Sequence, residues 1–263
     1  MTAVDRNARA PHYPVNHSHA KDVSQAALDE VDVVVYLGGF TGRKICDANT
    51  AENVAKENTG DLVELAKRLR PRQLLVFAST SAIGEGSVGG ARPFTENDTP
   101  QVDLMDSYTA SMYQREVAMR GLAKESSEIP TLCALRFGTV IGLSPSQRTE
   151  FVHIAMVRAA ILDGVINVRH AETHRSYVWI KDLVRAVDAL IRQRDKLGAN
   201  AFNLFHLVSF SSTIGRAANE VAMQTGVRTV FHEHPKAQDM KGFTLSAKKF
   251  QSRFGFEFRG TRN

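Results

Sequence analysis

Three continuous apolar runs most constrain this chain of 263 residues: 31–37, 73–79 and 131–140. Runs without polar alternation are buried on both faces, as parallel strands covered by helices are. Gly38-Gly39 ends the first run. Helical spacing follows over 51–69, with Val54, Leu62, Val63, Leu65 and Ala66 on one side and Pro71 as the stop. A second helix is predicted over 108–124. Further on, 180–193 and 211–224 read as helices and 201–205 as a strand. A short helix ends over 27–30, and a polar, glycine-rich loop fills 84–106. Strand–helix alternation of this kind predicts an α/β fold with a doubly wound parallel sheet.

Composition narrows the function classes. Hydrophobic residues make up 43% and charged residues 23%, enough for a packed core. Net charge is +5, yet no dense Lys/Arg run interleaved with aromatics is present, so the reading has no nucleic-acid partner. A mildly basic balance also suits a pocket for a phosphorylated ligand. Cys46 and Cys133 stand far apart, one in an apolar strand pattern, which suits a reducing compartment without disulfides. No stretch reaches the roughly 18 apolar residues of a membrane span, and residues 1–19 carry no apolar signal core. A cytoplasmic location and no membrane partner are therefore expected. The pairs His17/His19, His170/His174 and His232/His234 lack a third ligand at a recognisable spacing, so no metal is expected.

The chemistry-bearing stretch is Tyr108-Thr109-Ala110-Ser111-Met112. A tyrosine, a lysine one helical turn on and a serine at a preceding strand end form a proton-transfer device. The phenol has an ordinary pKa near 10 and needs a nearby cation to act as a base at neutral pH. Here Tyr108 and Ser79 are in place, but position 112 is methionine. Arg115 lies on the same helix face two turns away, too far, on this reading, to substitute. Tyr108 is then either a retained acid or hydrogen-bond donor, or an inherited packing residue. Ser79 either bonds the reacting hydroxyl or carbonyl, or caps its strand.

Six segments in order resemble the extended short-chain dehydrogenase/reductases, the NAD(P)-dependent sugar-nucleotide epimerases and dehydratases, over about 15–256. Residues 31–39 look like the strand beside the cofactor. Phe77 to Gly84 resembles a Ser-Ser-x-x-Val-Tyr-Gly strand end. Tyr108 to Met112, with Glu116, resembles Tyr-x-x-Ser-Lys and its trailing glutamate. Leu135 to Gly142 looks like the strand that opens the substrate region. His174 to Asp182 resembles Arg-Asp-Tyr-x-His-Val-x-Asp, and 239–256 a common C-terminal pattern. The resemblance implies a Rossmann-type fold, here truncated. The family's opening strand, glycine-rich turn, first helix and second strand are read as absent, roughly 50 residues on ordinary element lengths. Val15 to Asp22 then corresponds to a Gly-Asp-x-x-Asp segment, with His19 where an adenine-side aspartate is expected. The literal Gly-x-Gly-x-x-Gly at 84–89 precedes a proline-containing loop instead of a helix, so it does not replace that turn.

The resemblance implies a site. Tyr108 and Ser79 are the catalytic candidates. Leu37, Gly38 and Gly39 would line a cofactor, although turn glycines read as well. Ser81, Arg148, Arg175 and Tyr177 would bind substrate, with Arg175 and Tyr177 at a sugar-nucleotide diphosphate. Thr80 and Ser81 replace the Asp-Glu pair of the 4,6-dehydratases. NAD(P) is implied by the family but opposed by the missing turn and lysine. Expected domains are a disordered lead-in over 1–12, a partial Rossmann domain over 13–142 and a substrate-binding region over 143–263, with Rossmann segments returning near 174–205. The expected function is a degenerate epimerase/dehydratase-like protein that binds a nucleotide-sugar-like molecule, with redox-neutral acid/base chemistry. The alternative is a non-catalytic pseudoenzyme or partner subunit. The helices over 51–69 and 108–124 resemble the family's dimer-forming pair, so a homodimer is expected.

Overall fold

The computed structural model describes residues 3–5, 15–17, 22–85, 92–144, 148–232 and 242–260. It is a Rossmann-type α/β fold with a parallel central sheet. Its elements, in chain order, begin with β1 (Ala3–Asp5), β2 (Val15–His17), α1 (Gln25–Asp29), β3 (Val33–Tyr36), α2 (Arg43–Asp47) and α3 (Ala51–Ala55). A π-helical turn, Lys56–Gly60, leads into α4 (Asp61–Arg68), β4 (Leu74–Thr80), α5 (Ser107–Glu125), β5 (Thr131–Phe137) and β6 (Thr139–Ile141). Then come α6 (Val152–Asp163), β7 (Val165–Val168), β8 (His174–Trp179) and α7 (Ile180–Arg192). The described chain closes with β9 (Phe202–Leu207), β10 (Phe210–Thr213), α8 (Ile214–Thr225), β11 (Arg228–Phe231) and α9 (Lys248–Phe254).

The four-stranded sheet has the order β3-β4-β5-β9, and β3 pairs with β4 in parallel from Val33↔Leu74 to Tyr36↔Phe77. β1 pairs in parallel with β2, Ala3 opposite Val15. The lead-in expected over 1–12 therefore contains a strand; its other residues lie outside the described ones. Three residues are too short for periodicity to reveal.

Two compact units divide the chain. The first takes residues 1–79, 105–135 and 193–204. Its core packs Tyr36, Leu62, Leu65, Leu75, Phe77, Met119, Leu132 and Leu204 between sheet and helices. The helix expected over 51–69 is interrupted by the π-helical turn. Thr59 and Gly60 are weak helix formers, and Asn58, fully buried, turns its amide inward, donating to Ser111 Oγ at 2.8 Å. Single π-turns of this kind recur at functional sites.

The second unit takes 80–104, 136–192 and 205–263. The run predicted over 131–140 breaks at Gly138, because a side chain there would meet the Tyr177 backbone at 2.9 Å. β6 pairs in parallel with β8, and β8 runs antiparallel to β10. The helix expected from 211 instead starts at Ile214, since Thr213 caps it by accepting from Arg216 N, leaving 210–213 to pair. Met156, Ile166, Val168, Ile214, Ala218 and Val221 form a core between α6, β7 and α8.

Buried polar networks fix this unit. Asp182, at the start of α7, accepts from Ser209 Oγ, Arg259 N and Gly260 N and pairs with Arg185. His206 directs Nδ1 to Ser246 O at 3.2 Å and Nε2 to Arg136 at 3.4 Å. That is the neutral tautomer, with a proton on Nδ1. Burial, with Arg136 beside it, holds the imidazole down to about 3.

Two expectations follow. Asp182→Asn leaves donors facing an amide N–H₂ and lowers stability by about 2–4 kcal/mol in urea unfolding; an unchanged midpoint contradicts the network. For His206, the folded value lies below that of the unfolded chain, near 6.5. Between about 3 and 6.5 the unfolded state binds the extra proton. Stability is therefore lost as pH falls through that window, by at most about 1.4 kcal/mol per pH unit. His206→Asn flattens that part of the stability–pH curve.

Candidate active site

Asp106 is the residue before α5. Its carboxylate caps α5 by accepting from Thr109 N at 2.7 Å and binds Arg43 at 2.7 Å. Burial opposes its ionisation, but the Thr109 N–H and Arg43 together hold it below the usual carboxylate range. Tyr108 follows in the first turn, half-buried. Met112, one turn on, is buried at 4% exposure and offers no charge or N–H. Ser79, at the end of β4, donates to Glu116 Oε1 at 2.5 Å. With its proton held there, the Ser79 oxygen is left as an acceptor for a ligand hydroxyl.

Arg115 organises the strand ends. Only 1% exposed, it donates to the carbonyl oxygens of Gly38 at 3.0 Å, Ala78 at 2.9 Å and Asn58. Its guanidinium also lies over the Tyr36 ring, 5.7 Å from the centroid. Burial lowers its pKa, while the Tyr36 and Tyr108 phenols act in the opposite direction. Gly39 has φ +121°, and a side chain there would meet Arg115 and Asn58 at 2.6 Å. Asn58 Oδ1 also takes the Phe40 N–H at 2.6 Å. Leu37 is 61% exposed beside this closed knot.

Ser81, Arg148, Arg175 and Tyr177 fall in the second unit, and each is described there alone. Tyr177 is fully buried, stacks on Phe210 at 5.3 Å and meets His153 edge-on at 6.2 Å. Among the described residues its hydroxyl, like Ser212 Oγ and His153 Nδ1, has no hydrogen-bond partner. Burial pushes the phenol up to about 12, so it stays protonated and acts as a donor. Two residues before it on β8, Arg175 is 13% exposed, ion-pairs with Glu85 at 3.6 Å and stacks over Phe243 at 4.7 Å. Ser81 is buried in the short helical turn after β4. Arg148 pairs with Glu150 and covers Phe151 within its own loop. His19 and the glycines at 86 and 89 lie outside the described residues.

Sequence reasoning missed the Arg115 clasp, Asn58, Glu85 and the orphaned His153 and Ser212. A signal existed for Arg115: it shares a helical stripe with Met112 and Met119, which are apolar and buried. A charged residue in such a stripe must find partners.

The model of the NAD dependent epimerase/dehydratase family matches residues 2–204. The chain belongs to that family. Among solved structures, its fold is similar to MoeE5 in complex with UDP-glucuronic acid and NAD. That match has TM-score 0.80 and 19% identity, over 99% of this chain and 86% of that one. It is similar to the UDP-glucose 4-epimerase from Thermotoga maritima with UDP-glucose, at TM-score 0.74 and 19% identity, over 94% and 80%. It is also similar to RMD from Pseudomonas aeruginosa complexed with NADPH, at TM-score 0.73 and 17% identity, over 96% and 88%. No curated protein matches.

Membership in the epimerase/dehydratase family implies NAD(P), and the ends of β3 and β4 test that. The Gly38 and Ala78 carbonyls are taken by Arg115, the Phe40 N–H by Asn58 and the Ser79 hydroxyl by Glu116. Met112 cannot bond a ribose. Among the described residues no group of three or more His, Cys, Asp and Glu stands ready for a metal. Likewise, no helix among them is long and apolar enough to cross a membrane.

The knot predicts a contrast between two glycines. Gly39→Ala costs about 2 kcal/mol or more, through positive φ and overlap with Arg115. Gly60→Ala, in the π-turn with only Lys56 Cγ at 3.9 Å, is neutral or stabilising by up to about 1 kcal/mol. Urea unfolding of the two variants checks this, and equal losses contradict it.

Proposed function

We propose that this family member binds a nucleotide-sugar-like molecule and uses Tyr108 and Ser79 for redox-neutral acid/base chemistry. The observation that carries the reading is Tyr177: a hydroxyl buried without a partner among the described residues, on the strand that also holds Arg175. Leaving such a group unsatisfied costs about 1–3 kcal/mol, which a ligand oxygen on Tyr177 Oη would remove. Arg175 suits the same ligand, since its planar fork matches diphosphate oxygens. In addition, the MoeE5 and Thermotoga epimerase structures hold UDP-sugars or their acids.

Each residue then has a defined task. Arg175 binds the diphosphate charge and Tyr177 donates to one of its oxygens. Ser79 accepts a hydroxyl proton bond, its own proton resting on Glu116. Tyr108 gives or takes the proton at the reacting oxygen. Reactions that need only proton transfer, such as isomerisation or elimination, fit this set. NAD(P) bound in the family's manner would supply hydride transfer, and no step here uses it.

A homodimer is part of this reading. α3, the π-turn and α5 border a shallow groove lined by Ala55, Gly60, Val117 and Ala118, with Val117 half-exposed. A second copy would cover it, in a cytoplasmic setting.

Thermal denaturation with UDP-glucose and UDP-glucuronic acid tests the binding half. Saturating ligand at a hundred times its Kd adds about 2.7 kcal/mol. The gain is expected to vanish in Arg175→Met and to shrink in Tyr177→Phe. Equal stabilisation of native protein and Arg175→Met overturns the assignment. No stabilisation by either sugar nucleotide supports the non-catalytic alternative.

A further inference from the structure

Glu85 and Arg175 form an ion pair within the second unit, and backbone structure holds each of them in place. Thr80 Oγ1 caps the short helical turn over Ser81–Gly84 by accepting from Ala82 N at 3.3 Å, and Glu85 N closes it on Ala82 O at 2.8 Å. Gly84 packs the turn down, since a Cβ there would meet Phe94 at 2.9 Å. Arg175 stands on the middle strand of the sheet β10-β8-β6, opposite Ser212. Its guanidinium lies 4.7 Å from the Phe243 ring centroid.

The pair between these two fixed elements is wide. Its N···O distance is 3.6 Å, whereas Arg43–Asp106 closes to 2.7 Å and Arg92–Asp98 to 2.6 Å. At that separation the charges attract without a hydrogen bond between these atoms. The two side chains are only 13% and 19% exposed, so their attraction is screened less than in a surface pair such as Arg192–Asp188. An arginine fork is matched best by two oxygens of one anion at about 2.7–2.9 Å. Glu85 supplies the charge without that fit.

Resting on the reading of Arg175 as the residue that binds a diphosphate, we propose that Glu85 sets the charge selectivity of this site. Its carboxylate holds the Arg175 field in the ligand-free protein, and ligand binding is an exchange of anions. A diphosphate brings two charges and the paired oxygens of the fork, which together offset the lost ion pair and the repulsion from Glu85. A neutral nucleoside displaces nothing and draws nothing from Arg175. A single carboxylate only repeats what Glu85 already supplies. The opposite role, in which Glu85 aims Arg175 at the ligand, reverses the sign of the effect when the carboxylate is removed.

Calorimetric titration with UDP-glucose, inorganic pyrophosphate and uridine, in the native chain and in Glu85→Gln, tests this. Glutamine keeps the length of the side chain and removes its charge. Both anions are expected to bind Glu85→Gln about threefold or more tightly than native protein, and uridine to show no change. The gain should disappear when Arg175→Met is added. Glu172→Gln, which removes an exposed carboxylate three residues before Arg175, should leave every affinity as it is. Weaker or unchanged binding of both anions in Glu85→Gln overturns the proposal. So does an equal gain in Glu172→Gln, or a gain that survives without Arg175. If UDP-glucose fails on every variant while pyrophosphate gains in Glu85→Gln, the sugar-nucleotide reading falls and the role of Glu85 stands. If UDP-glucose binds native protein and Glu85→Gln does not tighten it, this proposal falls and that reading stands.

Discussion

The first unit depends on one buried guanidinium. Arg115 leaves α5 and closes on the carbonyls of Gly38, Ala78 and Asn58, joining the ends of two strands to a π-turn. Burying a charge without a counter-ion is expensive, and only a full set of bonds offsets it. The surrounding residues follow from that demand. Asn58 turns inward to satisfy Phe40 and Ser111, which breaks a helix into three pieces. Gly39 takes a positive φ because a side chain would occupy the space of the guanidinium.

At the ends of β3 and β4, several backbone and hydroxyl groups have partners within the chain. Among the described residues both units also keep buried side-chain atoms without a hydrogen-bond partner: Thr59 and Thr109 Oγ1 in the first, Tyr177 Oη, Ser212 Oγ and His153 Nδ1 in the second. Satisfied groups stabilise the fold; unsatisfied ones favour whatever brings the missing bond. On the proposed reading, that group is Tyr177, with Arg175 on the same strand.

Much of this was legible in the residues. The apolar runs at 31–37, 73–79 and 131–140 read as buried parallel strands, which holds for β4 and β5 but not for β3, where Val35 is 40% exposed, and the order of the motifs pointed to the family. What escaped were features whose cause is tertiary. Ala3–Asp5 is too short to show a period, and its pairing with Val15–His17 is a long-range choice. The break at Gly138 comes from the approach of β8, far away in sequence. The π-turn comes from the inward bonds of Asn58, which no helical pattern encodes. Arg115 was visible as a charge in an apolar stripe, but its carbonyl partners at Gly38, Ala78 and Asn58 lie far off in sequence.

The central claim is that sugar-nucleotide recognition here does not depend on a nicotinamide dinucleotide. Calorimetric titration of the protein with UDP-glucose, alone and with saturating NAD, tests it most directly. The account predicts saturable binding whose affinity is the same in both titrations, with no detectable heat for NAD alone. Tight binding of NAD alone, with UDP-glucose binding only to that complex, would contradict it.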